Sequence, residues 1–232
     1  MVVKIMPLTL DLFESLPPHP RRCVFWEVEP DVAPGEQGKS FSSEFDKEAW
    51  LSMVMLEWGT CAQIAVEEST DTTIGVAFYA PPGRVPRARS FPTAPVSADA
   101  VLLTSVRTAP GHDGVAEALV GAVVADLVRR GVRAVEAFGI VRSSATTTGE
   151  GEELCPGCVI DAHFLKESGF DVVASHPRFP RLRLELDEGL GWKSGVEAAL
   201  QRLFVIAQID LTGSERAPLA VPVGSARHRS AG

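Results

Sequence analysis

The chain has 232 residues and a mass of 24.8 kDa, enough to bury one full hydrophobic core and better suited to one domain than two. Hydrophobic residues make up 45% and charged residues 22%, which excludes wholesale disorder. The formal net charge of -8 offers no broad basic surface for nucleic-acid phosphates, so nucleic acid is set aside as a partner and an amine or cationic partner suits the chain better.

The start of the chain lacks a basic segment followed by a long apolar core, and no uncharged apolar run reaches the roughly 18 residues of a membrane span. No membrane association is expected, and the expected location is the cytoplasm. Residues 2–10 alternate weakly as a strand, 11–17 read as one or two helical turns, and 23–29, with Phe25, Trp26 and Val28, read as a short strand. A Gly/Pro loop covers 31–41. Over 42–56 the apolar residues fall at helical spacing behind Ser42, Ser43 and Glu44, which supply capping groups. Residues 61–66 and 73–79 form an expected antiparallel pair joined by a polar turn over 67–72. The next stretch, 80–97, holds five prolines and three arginines, too many for an ordinary strand or helix. A loop of that length either covers a cleft or is a solvated flap, and the sequence leaves both open.

Beyond it, a strand is expected over 100–107, a turn over 108–114 and an Ala/Val/Leu-rich helix over 115–130. A glycine-bearing strand-to-helix turn suits an anion, because the first N–H groups of a helix lack internal partners and sit at the positive end of its dipole. The alternative is an ordinary turn in which Asp113 caps the helix. Neither G-x-G-x-x-G nor G-x-x-x-x-G-K-[ST] occurs, which removes the dinucleotide and P-loop readings. After the helix come a strand candidate over 134–140, a short helix ending in Gly169-Phe170, and a hairpin of 171–174 with 181–186.

The segment Gly111-His112-Asp113-Gly114-Val115-Ala116 resembles the pyrophosphate turn of the GNAT superfamily of N-acetyltransferases, [R/Q]-G-x-G-x-[G/A]. Gly114 and Ala116 match; Gly111 stands where Arg or Gln is usual, and His112 where the first glycine is usual. The resemblance spans about residues 60–187 and is carried more by the order of the elements than by any one motif. It implies an α/β (α+β) fold with a mixed, mostly antiparallel sheet and helices on both faces. It also implies acetyl-CoA as co-substrate, with residues 111–116 on its pyrophosphate and pantetheine entering a gap between strands 99–107 and 134–140. Thr104, Ser105 and Val106 would then flank the thioester, and the Val106 N–H is the candidate oxyanion donor.

The implied activity is acyl transfer to a small-molecule or peptide amine, with a non-catalytic domain that binds coenzyme A or a partner protein as the alternative. Many members carry a tyrosine as general acid on the last short helix; here Leu165 occupies that position, and Tyr79 is the single tyrosine of the chain. Glu136, across the gap, is the leading candidate for the catalytic base if half-burial raises its pKa, unless it faces solvent or bonds the backbone. His163 and Cys158 are further candidates for proton donation.

Cys155-Pro156-Gly157-Cys158 has the spacing of a zinc knuckle, and His19 and Cys23 could add two ligands if the fold brings them near. With no local tetrad the sequence favours free thiols, and no metal is expected. Residues 191–206 carry an apolar stripe at helical spacing, to be docked on the domain or on the partner in a homodimer. The expected organisation is thus a domain over 1–187, a helical extension over 188–211 and a disordered tail over 212–232.

Overall fold

Ser43 opens the first long helix, its hydroxyl accepting from the Asp46 N–H at 3.2 Å, and the two acidic residues that follow suit the positive end of the helix dipole. The computed structural model describes residues 2–29, 43–142, 155 and 157–186. In order they form β1 (Val3–Pro7), a 3-10 turn (Leu10–Ser15), α1 (Pro18–Arg22), α2 (Glu44–Glu57), β2 (Ala62–Glu67) and β3 (Thr72–Ala80). Then follow β4 (Ala100–Thr108), α3 (Val115–Arg129), β5 (Ala134–Ile140), β6 (Ile160–Asp161), α4 (Ala162–Glu167), β7 (Asp171–Ala174) and β8 (Arg181–Glu185).

The strands make one sheet in the order β1-β2-β3-β4-β5-β8-β7, with β6 joined to β5 off that path. Pairing is antiparallel except for β4 with β5 and β5 with β6. Alternation along the strands divides the interior in two. Val76, Phe78, Leu102 and Phe138 face a layer containing Trp26, Trp50, Leu51 and Val54 from the α1–α2 side. Ala77, Tyr79, Leu103, Val135 and Ala137 face α3 and α4 through Leu119, Val123, Leu127 and Leu165. Helices cover both faces, as expected, and this explains why β3 is buried from Thr73 to Ala80 with no polar side.

Two segments depart from the expectation. Residues 23–29 are not a strand: the chain turns after Val24, with the Glu27 N–H on the Val24 carbonyl at 3.2 Å. Phe25 and Trp26 are adjacent and both buried, and a strand would send them to opposite faces. Of the two readings left open for 80–97, the solvated flap does not hold. The segment winds through 3-10 turns at Pro82–Arg84 and Pro86–Ser90 and buries Val85, Ala88 and Phe91. No helix among the described residues is long and apolar enough to cross a membrane. The helical extension and tail expected over 188–232 lie outside the described residues.

Candidate functional site

The parallel pairing of β4 with β5 covers only Ala100↔Ala134, Val101↔Val135 and Leu102↔Glu136. Past Leu102 the two strands part. The cause is local: β3 pairs Phe78 with Ser105 and Tyr79 with Leu103, so Thr104 is the extra residue of a β-bulge, which bends β4 where the ladder to β5 ends. Thr104 is anchored there by its hydroxyl, which donates to the Phe78 carbonyl at 3.1 Å. Farther along, Ala109 donates its N–H to Ile74 O at 2.7 Å. Backbone alternation then turns the Val106 N–H away from β3 and toward the gap, while Ser105 pairs on the β3 side.

The opposite wall is β5. Its Gly139 and Val141 N–H groups bond to Pro180 and Arg178 carbonyls on one edge, so Ile140 faces the other edge, where β6 pairs with it. β6 therefore enters the gap on the β5 side, and among the described residues no strand pairs with the β4 edge of the gap beyond Leu102. On the α1–α2 face the gap is floored by a stack of aromatic rings: Phe91 lies 4.4 Å from Phe138 and 5.1 Å from Trp26, with Phe179 edge-on at 5.6 Å. The proline-rich segment supplies Phe91 and thus covers this end of β5.

At the far end of β4 the turn through Gly111, His112, Asp113 and Gly114 leads into α3. Gly111 and Gly114 have φ of +79° and +80°, the left-handed region that favours glycine, and the space where their Cβ atoms would stand is open. Gly114, not Asp113, is the N-cap, and no side chain caps the helix. The Val115 N–H bonds the His112 carbonyl at 3.4 Å, and the Ala116 N–H lies at the positive end of a 15-residue helix that opens on Gly114. His112 is held beside it, with Nδ1 3.0 Å from Pro110 O.

Glu136 lies in the paired part of β5. It sits at the closed end of the gap, in register with Leu102, and is fully buried. Its carboxylate accepts from the Ser97 N–H at 3.2 Å, from Arg181, and from Arg183 at 3.2 Å. Burial pushes its pKa up, but the hydrogen bonds from Ser97 and Arg181 outweigh it and hold the carboxyl below the usual carboxylate range. That is the opposite of the raised pKa the sequence reading required, so Glu136 is corrected from base to ion-pair hub.

The other proton carriers fare similarly. Leu165 is fully buried on α4. Tyr79 is on the α3 face with no exposure, its hydroxyl donating to Asp126 at 2.9 Å and accepting from Gln63 at 3.0 Å. Burial drives its pKa upward, which makes the phenol a weaker acid. His163 is solvent-exposed on α4, 3.1 Å from Glu167. Cys158 is buried, and the fold brings it together with His19, Cys23 and Cys155, so the missing local tetrad on which the expectation of no metal rested is assembled by tertiary contacts. Sequence spacing also gave no sign of the buried pair Lys47 and Glu27, 2.5 Å apart, with the ammonium 3.9 Å above the Phe78 ring.

No family model matches the chain, and no curated protein matches it. Solved structures do. They include yncA of Salmonella typhimurium, assigned as an acetyltransferase and solved with its cofactor acetyl-CoA, at 15% identity and a TM-score of 0.52, covering 82% of this chain and 98% of that one. The paiA N-acetyltransferase of Thermoplasma acidophilum in complex with coenzyme A has 14% identity and a TM-score of 0.49, covering 80% and 99%. The ribosomal-protein-S18-alanine N-acetyltransferase of Escherichia coli has 15% identity and a TM-score of 0.42, covering 82% and 99%. At 15% identity the likeness to yncA speaks of architecture alone, and that architecture is a GNAT-like fold.

Proposed function

We propose that the chain is an acyl-CoA-dependent N-acyltransferase that moves acetyl from acetyl-CoA to an amine. The observation that carries this reading is the alignment of one bulged, splayed strand with a helix that no N-cap side chain caps: at Val106 the gap edge of β4 pairs with no strand among the described residues, and the same strand runs into the open turn at Gly111–Gly114. A diphosphate suits that turn, with the N–H groups of Gly114 and Ala116 as donors and that of Val115, which bonds the His112 carbonyl at 3.4 Å, set back from it. A pantetheine chain suits the free edge of β4 beside Thr104, Ser105 and Val106, where amide groups can pair as a strand would.

Chemically, the neutral amine attacks the thioester carbonyl, a C–N bond forms, and the carbonyl oxygen takes the charge. The Val106 N–H is the donor for that oxyanion. The C–S bond then breaks, the thiolate takes a proton, and the former ammonium proton leaves to water. With Glu136 and Tyr79 both committed to buried partners, this chemistry relies on orientation and solvent for its proton traffic rather than on a fixed side-chain base. An acidic chain of net charge -8 suits an amine acceptor.

A second reading, a domain that binds coenzyme A without catalysis, draws on the burial of Leu165 and the ion-pairing of Glu136. The two separate in one experiment. Thiol release is followed with a set of acyl-CoAs against small amines, polyamines and peptide N-termini, beside calorimetry with coenzyme A. Acceptor-dependent thiol release supports the enzyme; saturable binding with no release from any acceptor supports the second reading.

A further inference from the structure

His19, Cys23, Cys155 and Cys158 have no part in acyl transfer as described, yet their ligand atoms all lie within 4.8 Å of one another. His19 Nε2 is 3.0 Å from Cys155 Sγ and 3.8 Å from Cys158 Sγ; Cys23 Sγ is 3.6 Å from Cys155 Sγ and 3.3 Å from Cys158 Sγ. A tetrahedron with Zn–S of about 2.3 Å and Zn–N of about 2.0 Å has edges of roughly 3.5–3.8 Å, the scale of this cage. The backbone that carries the ligands is built for it. His19 and Cys23 are one helical turn apart, with the Cys23 N–H on the His19 carbonyl at 2.8 Å at the end of α1. Cys155 and Cys158 sit on a tight turn closed by the Cys158 N–H on the Cys155 carbonyl at 3.0 Å, with Gly157 at φ +74°. Trp26 pins that turn from the other side, its indole N–H donating to Cys158 O at 2.8 Å.

Four buried or half-buried soft ligands, drawn from segments more than 130 residues apart, are not accounted for by packing alone. His19 Nδ1 is buried without a hydrogen-bond partner among the described residues, so the polar contacts of that ring there are those of Nε2 with the cysteine sulfurs. We propose that His19, Cys23, Cys155 and Cys158 form a structural zinc site. The ligand set is Cys3His, with four protein donors and no open coordination position, which assigns a structural and not a catalytic metal. Binding removes the three thiol protons to solvent and leaves a site of net charge -1. Its effect is mechanical: the metal ties α1 to the segment that continues directly into β6, the strand inserted against β5 in the gap.

The test uses the full chain produced without a polyhistidine tag in zinc-supplemented medium and purified under reducing conditions. Elemental analysis is expected to find about one zinc per chain, and cobalt(II) exchanged into the site is expected to show visible bands of a tetrahedral thiolate complex. Cys155→Ser/Cys158→Ser is expected to lose the metal by more than tenfold. Because that variant can misfold, His19→Cys is the second probe: it keeps four ligands, and its cobalt spectrum is expected to shift while the stoichiometry holds. Folded, reduced wild-type protein with neither zinc nor a cobalt complex overturns the proposal. So does metal retained undiminished in the folded double variant, or a native disulfide among the three cysteines found by mass spectrometry of protein purified without reductant from reducing cells.

Discussion

At Glu136 two demands conflict: a base for an ammonium must have a raised pKa, and this carboxylate is stabilised in its charged form by Ser97, Arg181 and Arg183. Glu136→Gln is expected to destabilise the protein by about 3 kcal/mol at pH 7, because it leaves two arginines beside a neutral amide. Since the folded-state pKa is depressed, the wild-type advantage is present above the unfolded carboxyl pKa and disappears as pH falls through the folded value. Urea melts at pH 7 and in acid should therefore converge; a constant difference at both would contradict the ion-pair account. Turnover per folded molecule should be little changed, whereas a loss of about a hundredfold would restore Glu136 as base.

Tyr79 makes a parallel case on the other face of the sheet. Tyr79→Phe removes the link between Gln63 and Asp126 and should cost about 1–2 kcal/mol in a denaturant titration, without moving the pH profile of turnover. A profile that lost its basic limb would make the phenol a participant in catalysis.

Among the elements, Phe91 shows what the proline-rich segment does. Prolines remove backbone donors and favour 3-10 turns and irregular chain, which is why the segment lacks strand or helix, yet its apolar side chains still reach the core. Phe91→Ala should cost about 3–4 kcal/mol, measured as a lowered thermal midpoint, and should open 80–97 to proteolysis. Resistance equal to wild type would mean that the segment is held by its backbone and not by the ring stack.

Elements with a clear period were legible in the sequence: Trp50, Leu51 and Val54 mark α2, and the apolar runs of β3, β4 and β5 mark strands buried on both faces. Residues 23–29 were misread because Val24, Phe25 and Trp26 have strand composition, and only the surrounding layer shows that the two rings belong to one interior. Pro18–Arg22 was not read as a helix, since five residues with two prolines carry no period. The Gly114 turn was legible as a glycine pattern, but its open, uncapped geometry was not. The ion pairs of Glu136 depend on the register Glu136↔Arg183, which no local spacing announces; the cysteine–histidine cluster shows its two halves as C-x-x-C and His19-x-x-x-Cys23, but their meeting across more than 130 residues is a tertiary fact.

At the scale of the whole molecule, the account depends on one line of structure: the ladder between β4 and β5 ends at Leu102, β4 bends at Thr104, and the strand delivers the chain to the bare N-terminus of α3. The α1–α2 layer and the proline-rich segment close one face, while α3 and α4 close the other. Under the proposed function, coenzyme A would span both the gap and the turn. The most direct measurement is calorimetric titration of the full chain with coenzyme A, repeated on Gly114→Glu and on Gly114→Asn, an uncharged control that tolerates the left-handed backbone. The account predicts saturable one-to-one binding by the wild type, a loss of more than tenfold in affinity, about 1.4 kcal/mol or more, for the glutamate, and a smaller loss for the asparagine. Absence of binding to the wild type, or equal affinity in folded Gly114→Glu, would contradict it.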